Sequence, residues 1–331
     1  MAQGSASPDD VERAWHDTKL AQVLYHDWES DTYDDKWSIS FDDRCVTYAR
    51  DRFEAVAGQA EPGGAGFDAS TAPDERGGRH ARYQAALEVG AGTGFFSLNL
   101  KQAGILGDVH VTDISPGMVD AAVRNARLLG FEIDGRVADA EELPFADATF
   151  DVVVGHAIIH HIPDVEGAFR EMLRVLRPGG RVVICGEPTV YGDRIARALS
   201  RATWWAATRI TRLPPLRDAW ARPGDELDES SRAAALESVV DLHTFDPDEL
   251  AAIVRRAGGT RVRTVTEELT AAWFGWPIRT FEYAVNPERL GWGWSMFAYR
   301  TWQRLSAVDR VLSRVVPDEL FYNVSVTATR P

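Results

Sequence analysis

The sequence is poor in cysteine: only Cys45 and Cys185 occur among 331 residues. Two distant cysteines exclude a disulfide framework and argue against a cysteine-based metal site. This usage is typical of a reducing compartment, so a cytoplasmic protein is predicted. No run reaches the ~18 apolar residues that a membrane span needs. The first ten residues are small and polar, unlike a signal peptide, and predict no secretion.

Basic residues are also in deficit. The chain has 36 Lys and Arg against 50 Asp and Glu, a formal net charge of −14. Phosphate backbones repel such a chain, so nucleic acid is not an expected partner. The apolar fraction of 45% is that of an ordinary globular protein. Its length is sufficient for a full α/β core and for additional segments around it.

The central part of the chain alternates between strand and helix patterns. Five short strand patterns, each followed by a helical pattern or a loop, predict an α/β, doubly wound and mostly parallel sheet of the Rossmann-like type. These patterns are residues 85–89, 109–113, 135–138, 150–155 and 181–185. In such a sheet, ligands bind beyond the carboxyl ends of the strands, beside the first strand.

Changes in composition divide the chain into seven segments. We predict an N-terminal helical lid segment, a surface loop, the core, a helical insertion, a return to the core, an aromatic-rich helical insertion and a last core strand. In order, these are residues 1–57, 58–80, 81–187, 188–242, 243–272, 273–317 and 318–331. Within the first, the acidic and aromatic stretch 25–37 is interpreted either as a solvated loop or as a flap over the site.

Alternating glycines follow the first predicted strand at Gly90, Gly92 and Gly94. Glycines at the end of a strand let the backbone approach a ligand closely. The next helix directs its first N–H groups to the same place. A nicotinamide fingerprint counted from Gly90 needs its third glycine at position 95, where Phe95 stands. The turn therefore favours a nucleotide-like cofactor other than a dinucleotide.

Carboxylates stand at or beside the ends of the first three strands. Glu88 precedes the glycine turn, Asp113 ends the second strand and Asp139 follows the third. A carboxylate at the end of the second strand can accept hydrogen bonds from ribose hydroxyls, and the next one from an adenine amino group. Each acid alone is equally well explained as a cap. All three in succession predict binding of ribose and adenine.

At this point the sequence resembles the class I S-adenosylmethionine-dependent methyltransferases, of the ubiquinone/menaquinone-biosynthesis type. The motifs that carry the resemblance are Leu87–Gly94, Val111–Met118, Asp139–Phe145, Phe150–Val153 and Leu173–Gly180. The resemblance implies a seven-stranded sheet whose last strand, 322–329, is antiparallel. It also implies S-adenosyl-L-methionine as the cofactor.

The resemblance further implies roles for individual residues. Gly90, Ala91, Gly92 and Gly94, with Glu88, would hold the methionine part. Asp113 would bind the ribose, Ile114 and Met118 would lie against adenine, and Asp139 with Ala140 would take the adenine edge. Gly155 and His156 would face the sulfonium region, and Tyr33 would close the site.

Methyl transfer from a sulfonium is an in-line displacement, in which the protein mainly aligns the reactants and excludes water. A base is needed only when the nucleophile must lose a proton. The candidates are His160, His156 and Glu187, all near carboxyl ends of strands. The alternative is that these groups are structural or gating. His160 and His161 lack an acid–histidine ligand spacing, so no metal is predicted.

The two insertions are expected to determine the acceptor. Their aromatic residues would line a pocket for a small-molecule or lipid-like methyl acceptor, or form a helical core or a homodimer interface. Interleaved Trp and Arg in 198–217 predict at most peripheral membrane contact. The predicted function is methyl transfer to carbon or oxygen of a largely apolar acceptor. The alternatives are a protein lysine or arginine methyltransferase and a catalytically silent binding module.

Overall fold

The computed structural model describes residues 8–58, 81–224, 226–228 and 239–331. Its centre is one seven-stranded sheet in the order β3-β2-β1-β4-β5-β7-β6. The strands are β1 (Tyr83–Val89), β2 (Leu106–Asp113), β3 (Asp134–Val137), β4 (Phe150–His156), β5 (Leu176–Pro188), β6 (Thr260–Glu267) and β7 (Asn323–Thr329). The predicted loop 58–80 lies, beyond its first residue, outside the described residues.

Strands β1 to β5 pair in parallel. β7 runs against β5, because the Gly179 N–H donates to the Arg330 carbonyl while Thr327, earlier in β7, donates to the Val182 carbonyl. The predicted fold class is thus confirmed: a doubly wound, mostly parallel seven-stranded sheet with an antiparallel last strand. The strand order reverses between β1 and β4, which places the switch point beside the glycine turn.

The described residues also form twelve α-helices. They are α1 (Pro8–Ala14), α2 (Thr18–Glu29), α3 (Tyr33–Trp37), α4 (Asp43–Ala57), α5 (Phe95–Gln102), α6 (Pro116–Leu128), α7 (Val165–Val175), α8 (Val190–Ile210), α9 (Pro214–Trp220), α10 (Pro247–Arg256), α11 (Thr270–Ala284) and α12 (Trp292–Leu312).

Local sequence explains where several helices begin. Ser115 caps α6, where its Oγ accepts a hydrogen bond from the Met118 N–H at 3.2 Å, and Pro116 occupies the first turn. Asp164 caps α7 in the same way, accepting from the Gly167 N–H at 2.8 Å. Helix α2 begins separately from α1, because Asp17 caps it by accepting from the Leu20 N–H.

The described residues belong to two compact units. The first comprises 1–187, 248–264 and 325–331, and the second comprises 188–247 and 265–324. In the first unit, strand β4 is apolar and buried from Val152 to Val154. This is the pattern of a strand that is covered on both faces. Helix α7 turns Phe169 and Met172 into the same core.

The second unit is helical and has a small core of its own. Ala207, Ala284 and Val285 are buried there, with Trp204 and Phe281 packed against them. Aromatic rings pair between α11 and α12. The Phe281 and Trp294 centroids are 5.3 Å apart, and those of Phe274 and Phe297 are 6.0 Å apart. No helix of the described part is long and apolar enough to cross a bilayer.

Buried Asp309 fixes the start of α11 from its position on α12. Its carboxylate accepts hydrogen bonds from the N–H groups of Leu269, Thr270 and Ala271 at 2.9–3.0 Å. These groups are the unpaired donors of a helix N-terminus. The carboxylate therefore joins α11 and α12 within this unit.

Candidate active site

The glycine turn ends β1 with three left-handed residues, Gly90, Gly92 and Gly94, at φ of 60°, 52° and 85°. A Cβ on Gly90 would lie 2.1 Å from Ile158 Cδ1, so the Ile158 side chain fills the space beside Gly90. Beside Gly92 a Cβ would meet only Tyr33 Cε1, at 3.8 Å. Gly92 is therefore the glycine with room beside it for a ligand, and the Tyr33 ring faces that room.

Asp113, at the end of β2, is tied directly to the turn. Its Oδ2 accepts from the Gly92 N–H and its Oδ1 from the Ser115 N–H, both at 2.9 Å. Burial raises the pKa of the Asp113 carboxyl above its usual range, although these hydrogen bonds act to lower it. An ionised carboxylate offers about four acceptor positions, so further donors can be bound here. Neighbouring Ile114 is half-buried and Met118 is fully buried.

Glu88 lies beneath the turn and is almost completely buried. Its Oε2 accepts from the Ser97 N–H at 3.1 Å, in the first turn of α5. Burial raises the pKa of Glu88 to about 8, so this carboxyl is mostly protonated at neutral pH. Ala91 is also buried, and its N–H donates to the Thr112 carbonyl. Both residues hold the turn in place.

Asp139, which follows β3, is engaged by a residue that the sequence did not single out. Lys19 Nζ donates to Asp139 Oδ2 at 2.5 Å and to Glu141 Oε2 at 2.6 Å. The other oxygen of Asp139 accepts from the Glu141 N–H, and half-buried Ala140 lies within this turn. Because Lys19 is 120 residues away in the chain, no spacing or motif indicates this pair.

The N-terminal helices contact three further parts of the site. Asp34 of α3 accepts from Thr93 Oγ1 at 2.5 Å, within the glycine turn, and from Asn125 Nδ2 at 3.1 Å. Asp27 of α2 accepts from Ser115 Oγ and from the Gly117 N–H at the start of α6. The acidic and aromatic stretch 25–37 thus contacts the glycine turn and the start of α6.

The turn after β4 is held by a single buried side chain. Glu187 Oε1 accepts from the N–H groups of Ile158 and Ile159 at 2.8 and 3.0 Å. Its Oε2 accepts from the His160 N–H at 3.2 Å and from the His160 ring nitrogen Nδ1 at 2.7 Å. A neutral His160 ring that donates this hydrogen bond carries its proton on Nδ1. His160 is then in the tautomer whose Nε2 accepts a proton.

His156, at the end of β4, lies in an aromatic setting. Its ring centroid is 5.4 Å from those of Phe95 and Phe96, and its Nε2 is 3.3 Å from Tyr48 Oη. Burial lowers the pKa of His156 to about 4, so the ring is neutral at neutral pH. Gly186 is close, because a Cβ there would lie 2.9 Å from His156 Nε2.

The structure brings the predicted residues to one edge of the first unit. The glycine turn, Asp113 and Asp139 follow neighbouring strands, while His156 and Glu187 end β4 and β5. A doubly wound sheet with this turn and these carboxylates has the arrangement of a nucleotide-type cofactor site.

Comparison with known proteins agrees with this class. Residues 87–184 match the family model described as "Methyltransferase domain". This match covers the core of the chain and agrees with the resemblance of its motifs to the class I S-adenosylmethionine-dependent methyltransferases.

Three curated relatives share this core. The chain is 40% identical to 27-O-demethylrifamycin SV methyltransferase of Amycolatopsis mediterranei, over 30% of this chain and 36% of the relative. It is 37% identical to demethylmenaquinone methyltransferase of Mycolicibacterium paratuberculosis, over 36% and 51%. It is 32% identical to the ubiquinone/menaquinone biosynthesis C-methyltransferase UbiE of Klebsiella pneumoniae, over 44% and 56%. The match thus spans about a third to a little over half of each relative.

Proposed function

We propose that the protein is a cytoplasmic methyltransferase that transfers the methyl group of S-adenosylmethionine to carbon or oxygen of a largely apolar small-molecule or lipid-like acceptor. The observation that carries the proposal is the arrangement of Gly92, Asp113 and Asp139 at successive strand ends, within a methyltransferase core. Relatives named for rifamycin and menaquinone substrates support a small-molecule acceptor. Cys45 and Cys185 are both free thiols, which is compatible with the cytoplasm.

The residues present fit the cofactor. The room beside Gly92 lets backbone approach its methionine part, and the Asp113 carboxylate has acceptor positions left for ribose hydroxyls. Asp139 and Ala140 would take the adenine edge, with Ile114 and Met118 on its ring face. Tyr33, which faces Gly92, would exclude water from the site.

When bound, the cofactor supplies an electrophilic methyl group. The chain's own contribution is then to align the acceptor and to take up a proton where the nucleophile carries one. We assign this proton to His160 Nε2. Glu187 acts as a positioning residue, since its hydrogen bond to Nδ1 orients the ring and stabilises the imidazolium that forms. Neutral His156 contributes packing and a hydrogen-bonding nitrogen near the glycine turn.

Thermal unfolding with added ligands tests the cofactor. S-adenosylmethionine and its demethylated product should raise the Tm, and NAD should not, because a ligand stabilises the state it binds. At a ligand concentration 100 times its Kd the expected stabilisation is about 2.7 kcal/mol. A rise with NAD alone would refute the proposal.

Transfer of labelled methyl groups into a cell lysate tests the acceptor class. We expect label in the organic-soluble fraction. Label confined to the protein fraction would instead identify a protein methyltransferase. Binding of the cofactor without any transfer would identify a catalytically silent module.

The His160→Gln and Glu187→Gln variants test the proton acceptor, with His161→Gln as the matched control. Loss of a general base typically costs ~10²–10⁴ in kcat. We expect a loss of that order for His160→Gln and unchanged cofactor binding. Glu187→Gln should shift the pH profile of kcat, because it alters the basicity of the ring. If His161→Gln has the larger effect, the assignment of the base is wrong.

A further inference from the structure

Helix α8 of the second unit has an outer face made of arginine and aromatic residues. Tyr191, Arg194, Arg201, Trp205 and Arg209 follow one another at intervals of three, seven, four and four positions. These intervals place them on one side of a helix. Tyr191 and Trp205 are well exposed, and each has an arginine over its ring, Arg194 and Arg209 respectively. We call these five residues the α8 basic face.

The arginines of this face differ from Arg197, which lies between Arg194 and Arg201 on the same helix. Arg197 is paired with Asp193 at 2.7 Å and with Asp241 at 3.3 Å. Within the part of the chain that the structure describes, Arg194, Arg201 and Arg209 form no ion pair. Asp193 is the only acid of α8, and it is buried. The face therefore presents uncompensated positive charge on a chain with a net charge of −14.

Exposed apolar side chains are also present at the end of the helix. Trp205 is 60% exposed, and Ile210 and Leu213 are 53% and 52% exposed. Large apolar groups beside arginines are the composition of helices that lie in the plane of a membrane interface. Arginines with long stems can bind lipid headgroups while neighbouring rings enter the boundary with the acyl chains.

Helix α12 shows the same composition. Phe297, Val308 and Val311 are exposed on it, and Arg300 and Arg304 lie between them at helical spacing. Like α8, α12 packs against α11. Two helices of one unit thus carry exposed apolar side chains among arginines.

We propose that the α8 basic face docks the protein on the surface of an anionic phospholipid bilayer. Charge complementarity favours this occupant. A second copy meeting the same face would bring the arginine rows together and repel. Duplex nucleic acid would meet the acidic remainder of the chain, and it gives Ile210 and Leu213 no apolar partner. The inference is independent of the proposed reaction, because it rests on the surface of the helical unit alone.

Vesicle sedimentation with the full-length chain tests this docking. Wild-type protein should sediment with phosphatidylglycerol/phosphatidylcholine vesicles, remain in solution with phosphatidylcholine alone, and dissociate as salt is raised. Each arginine near an anionic surface contributes roughly a fivefold change in partitioning. Arg201→Gln/Arg209→Gln should therefore bind about 25-fold more weakly.

The matched control is Arg127→Gln/Arg255→Gln, which removes the same charge from exposed positions of the first unit. It should bind vesicles like the wild type. Equal weakening of both double variants would overturn the proposal, because net charge alone would then explain binding. The proposal would also be overturned if the wild type bound phosphatidylcholine vesicles and salt did not weaken this binding. The remaining outcome concerns a second copy. If the wild type elutes as a dimer on size exclusion, and the α8 double variant elutes as a monomer with unchanged vesicle binding, the α8 basic face binds a second copy and the proposal is overturned.

Discussion

Gly90 and Gly92 have similar backbone conformations but different surroundings. Alanine substitutions at the two positions therefore separate the cost of the left-handed backbone from the cost of a steric collision. Both substitutions place a side chain at φ near +60° and +52°, which costs ~1–2 kcal/mol. Only at Gly90 would the new Cβ also collide with Ile158, 2.1 Å from Cδ1 and 2.2 Å from Cγ1. Overpacking of this kind costs ~1–3 kcal/mol.

The free energy of unfolding should thus fall by ~2–5 kcal/mol in Gly90→Ala and by ~1–2 kcal/mol in Gly92→Ala. Urea unfolding without cofactor, followed by circular dichroism, measures both values. Adding Ile158→Ala removes the colliding atoms, so a double-mutant cycle should show a coupling of ~1–3 kcal/mol between residues 90 and 158.

The order of the two variants should be reversed for cofactor binding, compared with their order for stability. Because Gly92 faces the room at the turn, Gly92→Ala should weaken S-adenosylmethionine binding more than Gly90→Ala does. Equal losses of stability in the two single variants, or no coupling with Ile158, would refute the assignment of the space beside Gly90 to Ile158.

Three further predictions concern buried or bridging charges. The pKa of Glu88 is about 8 in the folded state against 4.5 in its unperturbed state, so the folded state keeps a proton that the unfolded state releases. Stability should fall by up to ~1.4 kcal/mol per pH unit between these values, and Glu88→Gln should flatten the dependence of Tm on pH from 5 to 8. An unchanged slope would contradict this. Lys19→Met should speed amide exchange in α2 and leave β1 unaffected, because the pair with Asp139 and Glu141 holds that helix; high salt should mimic it. Equal amide exchange in α2 of the wild type and of Lys19→Met would show that these ion pairs do not stabilise the helix. Asp309→Ala should lower stability by ~1–3 kcal/mol, because three N–H groups lose their acceptor. A far smaller loss would show that water replaces the carboxylate.

Local chemistry made much of the core predictable. The caps Ser115 and Asp164 each bond to a residue three positions further along the chain, so both depend on local sequence alone. The apolar run Val152–Val154 of β4 is also a feature of the local sequence. The order of strands and helices between 85 and 185 follows from such features.

Contacts between distant segments were not predictable. Lys19 meets Asp139 because α2 packs over the strand ends, and nothing near either residue encodes that. Glu187 was predicted as a catalytic candidate, but its four hydrogen bonds to the turn at 158–160 follow from the pairing of β4 with β5. The occupation of the space beside Gly90 by Ile158 likewise depends on the conformation of a loop.

The most direct test of the central claim is calorimetric titration of S-adenosylmethionine into the wild type and Asp113→Asn, with Asp134→Asn as the control. Asp134 lies at the start of β3, away from the strand ends that form the site. Hydrogen bonds to a charged group contribute ~1.5–3 kcal/mol, so Asp113→Asn should weaken binding at least tenfold, while Asp134→Asn should not. Unchanged affinity in Asp113→Asn, or binding of NAD in place of S-adenosylmethionine, would contradict the account.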